Sequence, residues 1–332
     1  MIDIKLLEQL CLCNGISGDE GNVRNLIINE IKDCADDIKT DNLGNLIVFK
    51  KGKKSAKSKL MVSAHMDEVG LMVTDITSDG YLKFDEVGGI DRRVLPGKRV
   101  CVGRNSLNGV IGVKPIHLTN GDEKTAVPKM SDMYIDIGAE SREDALKYVN
   151  YGDGINFEGN FKINGKTVVT KALDDRFGCY VLINLIKSEP EYDMYFTFVV
   201  QEEVGLRAAR PAAFTVNPDF ALVIESTTAA DVAEVDASHQ VCNLSKGVTV
   251  TVMDRATVYD KEMISAAFEL AEKNNIAVQY KRAVAGGNDS GAIHQSRGGV
   301  RTLAVSLPSR YIRAPSTAAN LDDCESVLKL AK

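Results

Sequence analysis

Three almost uninterrupted apolar runs, FTFVV (196–200), ALVI (221–224) and TLAVSL (302–307), constrain this chain more than any other feature. A strand with one face in water alternates apolar and polar residues, whereas one apolar throughout needs cover on both faces, as in parallel sheets flanked by helices. Segments of helical periodicity at 175–187, 261–273 and 321–330 lie before, between and after these runs, predicting an α/β sheet with a layer of helices on each side. The pattern is suspended once. From about Gly70 to Thr167 the chain consists of short β-like stretches (GLMVTDI, YLKF, KRVCVG, GVIGVK, MYIDIG, GINFEG) separated by Gly, Asp and Asn turns. An inserted β module is the economical reading, because the αβ alternation resumes directly afterwards.

Upstream, Ser17 and Glu20 have capping-box spacing ahead of a helical pattern through Val23, Leu26, Ile27, Ile31 and Cys34. Residues 43–49 and 60–64 read as strands, and the basic run KKGKKSAKSK between them as a solvated hairpin loop. The 332 residues, 44% hydrophobic and 26% charged, suffice for a large core without staples. A net charge of −6 argues against nucleic acid or anionic lipid as partner. No apolar run is long enough to span a membrane. The start of the chain has no secretory pattern and the seven scattered cysteines form no CxxC pair, so a cytoplasmic protein with reduced thiols is expected.

In open αβ sheets, reactive groups gather just beyond the strand ends. Here LMVSA runs into His65, Met66, Asp67 and Glu68; VVTKAL into Asp174 and Asp175; FTFVVQ into Glu202 and Glu203; and ALVI into Glu225. A lone histidine or acidic pair after a strand is usually a polar residue satisfied locally, but four such positions at consecutive strand ends suit a hydrolytic metal site. In that reading His65 supplies an imidazole nitrogen and Asp67 fixes its tautomer by accepting from the other ring nitrogen. Glu202 and Glu203 cannot both face one site from a regular strand, so the backbone must turn irregular past the strand end, for which Val204-Gly205 offers room. His239 reads as a loop residue. Gly286, Gly287 and Gly291 lack the spacing of a phosphate loop, and there is no GxSxG nucleophile elbow.

The motifs AHMDEVG (64–70), GVIGVKPIHL (109–118), ALDDRFG (172–178), EEVGLR (202–207), VMDR (252–255) and GGNDSGAIH (286–294) resemble, in order and over essentially the whole chain, those of the M42 metalloaminopeptidases. The resemblance implies an αβα sandwich of the zinc-exopeptidase type with an inserted small, PDZ-like β-barrel dimerisation domain. Residues 1–68 and 168–332 would form the catalytic domain and residues 69–167 the insert. It implies one or two divalent metals (zinc, cobalt or manganese), with His65 and Glu225 on the first, Glu203 on the second and Asp174 bridging. Glu202 would be the general base and Asp67 the residue orienting His65; Asp175 matches the partner of Asp174, and His117 a histidine of the insert. Short peptides would be the substrates, and dimers would assemble into a homo-oligomeric dodecamer.

Two positions depart from the family pattern. Glu225 stands where an aspartate is usual. Arg313, in RYIRAP, stands where the second metal's histidine is usual, and a guanidinium has no lone pair to donate. Arg313 would then supply positive charge beside Asp174 and Glu203, leaving one metal or none; completion of the shell by His294 or water is the other reading. A smaller change puts Ala208 at a usual glycine. The leading expectation is an aminopeptidase. The alternatives are an inactive homologue that binds peptides or acts as a scaffold, and a glycoside hydrolase, since some relatives carry endoglucanase labels.

Overall fold

The computed structural model describes residues 1–332 as two sheet systems. Four strands at the centre of the larger sheet run parallel, in the order Met194–Val199, Leu60–His65, Phe220–Thr228 and Arg301–Arg310. Antiparallel strands extend both sides: Leu46–Lys50 and Asp37–Thr40 beyond Met194–Val199, and Thr317–Asn320, Thr167–Thr170 and Lys162–Asn164 beyond Arg301–Arg310. The short strand Val248–Val250 also joins Arg301–Arg310 and carries Val278–Tyr280.

The period of two explains the cover on both faces. From Leu60–His65, Val62 and Ala64 enter a core shared with the helices Ile4–Leu12, Gly21–Ile31, Leu173–Lys187 and Leu321–Ala331, whereas Met61 enters a second core under the helix Ala209–Val216. The helix Leu173–Lys187 buries nearly its whole circumference, including Phe177, Tyr180 and Ile183. That suits a helix enclosed between the sheet and its neighbours.

Six antiparallel strands between Gly70 and Phe157 close into a barrel with its own core, including Leu71, Val100, Ile111, Ile135 and Ile155. Closure removes the exposed edges that a small sheet would present. The next two strands, Lys162–Asn164 and Thr167–Thr170, pair into the large sheet.

Two local expectations are corrected. The basic run at 50–59 is not a hairpin loop, because Met194–Val199 lies between Leu46–Lys50 and Leu60–His65. Turn composition shows that the chain leaves a strand, not which strand will pair with it. Ser17 and Glu20 form no capping box: the helix Gly21–Ile31 starts without a side-chain cap, Ser17 Oγ donates to Asp67 Oδ2 at 2.6 Å, and Glu20 Oε1 accepts from Gly18 and Gln201 backbone N–H groups at 2.8 and 3.1 Å. Tertiary acceptors outcompete the local bond. No helix is long and apolar enough to cross a membrane.

Candidate metal centre

Because the four central strands are parallel and in register, their carboxyl ends open on one edge. Val199 pairs with His65, and Val223 with Ser63, which brings Glu225 level with His65. Beyond Val199 the backbone breaks regular geometry at Gln201 (φ +58°), earlier than the Val204-Gly205 expected, and Glu202 and Glu203 both end up buried. Asp174 and Asp175 begin the helix Leu173–Lys187 with non-helical φ/ψ, and the chain returns past Arg301–Arg310 to Arg313, itself at φ +62°.

Residues distant in the chain meet there. His65 Nε2 is 3.4 Å from Glu225 Oε1, 3.5 Å from Asp174 Oδ1 and 4.0 Å from Glu202 Oε2. A tetrahedral cation bound at about 2.0–2.1 Å separates its donors by roughly 3.3 Å, so the first two distances suit a shared ion. Two groups have donor atoms mutually close enough for a cation: His65, Asp174 and Glu225; and His65, Glu202 and Glu203. Asp174 Oδ1 and Glu225 Oε2 are buried without a hydrogen-bond partner, a costly state for carboxylate oxygens that a cation relieves. The donor set therefore fits a divalent metal at His65, Asp174 and Glu225.

The second group is different. Arg313 Nη2 lies 2.9 Å from Glu203 Oε2, so a guanidinium already faces that carboxyl group. His294, an alternative ligand, directs Nδ1 at the Ser290 carbonyl at 2.8 Å and belongs to neither group. His117 is exposed on the barrel and His239 on a surface turn, and neither joins the site.

Asp67 does more than orient His65. His65 Nδ1 hydrogen-bonds the Asp67 main-chain oxygen at 3.0 Å, with the carboxylate Oδ1 at 3.5 Å. That carboxylate chiefly accepts the Glu202 and Glu203 backbone N–H groups at 3.0 and 3.1 Å, fixing the irregular turn. Glu68, which follows it, is no ligand: it is buried against Lys171 Nζ at 2.8 Å and Arg176 Nη2 at 3.4 Å. Arg176, fully buried, also donates to the main-chain oxygens of Leu10, Cys13, Gly15 and Met66, tying the first helix to the His65 loop.

The electrostatics follow from crowding carboxylates in a dry place. Burial, then repulsion from Asp174, pushes Glu203 up to about 8 despite Arg313. Burial pushes Glu225 up to about 7 against the pull of His65. Glu202 rises well above the usual carboxylate range, first by burial and then by Glu225, Asp289 and Glu203. Burial opposes charge on His65, but Glu225, Asp174 and Asp67 outweigh it and hold the imidazole well above its ordinary value. A field that stabilises a proton this strongly also stabilises a metal cation. Asp175, buried beside Glu225 and Asp174, is likewise raised and accepts the Gly178 N–H at 3.0 Å.

Two participants escaped the sequence reading. Asp289 is fully buried with neither carboxylate oxygen hydrogen-bonded, in the field of His65, Glu225 and Asp67; its only signal was its place inside GGNDSGAIH. Lys281 lines a cavity of about 240 Å³ together with Asp174, Glu202, Glu225 and Arg313, and nothing local to it suggested this. Gly286 and Gly287 line the same cavity.

Comparison with known proteins bears on the family and the fold. Residues 44–330 match the M42 glutamyl aminopeptidase family. A putative aminopeptidase of Acetivibrio thermocellus is 43% identical over 327 residues, covering 98% of this chain and 96% of that protein. The lysyl aminopeptidase of Pyrococcus furiosus is 33% identical over 100% of this chain and 96% of its own length. The TET1 peptidase of Pyrococcus horikoshii, which can assemble into a tetrahedron or a large octahedral shell, superposes with a TM-score of 0.87 at 39% identity, covering 99% of this chain and 97% of that one. With the fold and the family match both in place, the chain belongs to the M42 peptidase family, and it is a peptide hydrolase of the aminopeptidase kind.

Proposed function

We propose that the protein releases N-terminal residues from short peptides using one divalent cation held by His65, Asp174 and Glu225, with Arg313 standing in for a second. The observation that carries this reading is the 2.9 Å contact between Arg313 and Glu203, beside a first donor set whose atoms remain at coordinating separation. When bound, zinc, cobalt or manganese there supplies Lewis acidity toward the scissile carbonyl and the attacking water. Glu202, held above the usual carboxylate range by burial, takes a proton from that water and returns it to the leaving amine. Asp67 holds the Glu202-Glu203 turn and, through its main-chain oxygen, the His65 ring. Arg313 places fixed positive charge beside Glu203 and Asp174, the charge a second cation would otherwise supply.

For the division into a catalytic domain (1–68 and 168–332) and an insert (69–167), the separate core of the barrel supports the insert as far as Phe157, whereas Lys162–Asn164 pairs into the large sheet. Assembly into dimers and then a dodecamer draws support from the exposed Val110, Ile116, Leu118 and Val127 on that barrel, and from the shells formed by the Pyrococcus horikoshii relative. Seven cysteines without a disulfide suit the cytoplasm.

Counting metal on the purified protein and assaying aminoacyl nitroanilides before and after chelation tests the reading. One ion per chain and hydrolysis abolished by chelator are expected. Arg313 also motivates the rival of a peptide binder without activity, which a protein holding no metal and cleaving nothing with added zinc, cobalt or manganese would establish.

A further inference from the structure

Three consecutive main-chain N–H groups end on two carboxylates: Gln201 donates to Glu20 Oε1 at 3.1 Å, Glu202 to Asp67 Oδ1 at 3.0 Å and Glu203 to Asp67 Oδ2 at 3.1 Å. This is where the chain leaves regular strand geometry, with Gln201 at φ +58°. A residue with a β-carbon holds that conformation where its surroundings over-determine it. Asp67 is one such constraint. The other comes from a segment 181 residues away in the chain. Ser17 and Glu20 have the spacing of a capping box, yet no side chain caps the helix Gly21–Ile31. Instead Ser17 Oγ donates to Asp67 Oδ2 at 2.6 Å, and Glu20 Oε1 accepts from the Gly18 and Gln201 N–H groups. Ser17 is 5% exposed and Glu20 4%, and Glu20 has main-chain donors but no cation beside it. A carboxylate buried in that way is a costly start to a helix, so its place reflects what it holds. The segment is itself anchored. Gly15 N–H donates to Asn156 Oδ1 of the barrel at 3.1 Å, and the Gly15 carbonyl accepts from Glu68 N–H at 3.0 Å and Arg176 Nη2 at 3.1 Å.

We propose that Ser17 and Glu20 are positioning residues for the hydrolysis: they set the turn at 201–203 and thereby the place of the Glu202 carboxylate, Glu20 through Gln201 and Ser17 through Asp67. This rests on the reading of Glu202 as the general base. Neither residue touches the reacting atoms, and each acts through the main chain. A base displaced by about 1 Å can lose about 10²-fold in rate, a loss that falls on the chemical step and therefore on kcat more than on KM.

The test combines hydrogen exchange of the segment around 201–203 in the chelated protein, read by mass spectrometry, with kcat, KM and bound metal of the loaded protein on aminoacyl nitroanilides. Glu20→Leu removes the acceptor at similar bulk. It should speed exchange in that segment while the central strands exchange as in the wild type, and lower kcat by about 10–100-fold, the range for groups that orient a site. KM and metal content should stay close to those of the wild type. Glu20→Gln keeps the acceptor oxygen and should restore most of the loss. Ser17→Ala should act in the same direction but less, since Asp67 retains the Glu202 and Glu203 N–H groups. In a Glu202→Gln background, Glu20→Leu should cost little more, because the base it positions is already gone. Unchanged exchange around 201–203, an unchanged kcat, a loss that Glu20→Gln does not relieve, or an equal loss in the Glu202→Gln background overturns the proposal. If Glu20→Leu does not fold, Ser17→Ala decides by the same readings. A wild type that cleaves nothing, while Glu20→Leu still loosens the turn, removes the hydrolytic reading and the catalytic part of the proposal with it, and leaves Glu20 as the residue that orders the turn.

Discussion

Arg313 Nη2 lies 2.9 Å from Glu203 Oε2, a fixed cation against the carboxylate that would otherwise hold a second metal. In the proposed one-ion reading, this guanidinium takes the place of a second cation. Arg313→His should therefore restore a nitrogen ligand, and elemental analysis should show one more bound ion per chain than in the wild type. An unchanged stoichiometry would mean that position 313 does not control the second site.

Removing the proton acceptor while keeping the metal ligands separates the two roles. Glu202→Gln is expected to lower kcat/KM by about 10²–10⁴-fold, the range for a general base, with metal content unchanged. If metal is lost together with activity, Glu202 is a ligand and the base lies elsewhere, Asp289, buried without a partner in the field of Glu202, being the carboxylate to examine.

Asp67 joins the metal side to the base side, since its main-chain oxygen meets His65 and its carboxylate meets the Glu202 and Glu203 N–H groups. Asp67→Asn puts a donor where two donors already point, and metal affinity should fall about 10–100-fold, as for other groups that orient a ligand. Titration with a competing chelator reads this directly, and an affinity within a factor of two of the wild type would refute the role.

Glu203 and Glu225, raised to about 8 and about 7 from 4.5, hold protons in the folded metal-free protein that the unfolded chain has already released. The folded state binds more protons between about 4.5 and 8, so stability of the chelated protein falls as pH rises through that window. His65, raised above its ordinary value, acts in the same direction, whereas the lowered Asp67 and Asp174 respond only at more acidic pH. Melting curves at pH 5.5 and pH 8 should thus diverge most without metal, and bound zinc, which displaces those protons, should close the gap. A chelated protein that melts higher at pH 8 would contradict the sign.

Arg176 ends in four main-chain carbonyls and Glu68, all buried except the half-buried Cys13. Arg176→Met leaves these acceptors and Glu68 short of partners and should destabilise the fold by about 3–5 kcal/mol, read as a shifted denaturation midpoint. Loss of activity at full stability would instead point to a direct part in the chemistry.

Much of this was legible in the chain itself. The apolar runs at 196–200, 221–224 and 302–307 determined a covered sheet, the β-only stretch after Gly70 a separate module, and the acidic and histidine residues after each run a crowded strand-end edge. Such features are local: periodicity of two or 3.6 and turn chemistry act over a few residues. Only the tertiary structure decided that Met194–Val199 separates the strands flanking the basic run, that Ser17 serves Asp67 instead of a helix end, and that Lys281 shares a cavity with Glu225. Those depend on which distant segments pack together, a choice made by the burial of whole faces, and no short stretch of sequence encodes it. The same holds for Arg313, whose identity ruled out a ligand by itself but whose contact with Glu203 needed the folded chain to bring residues 203 and 313 together.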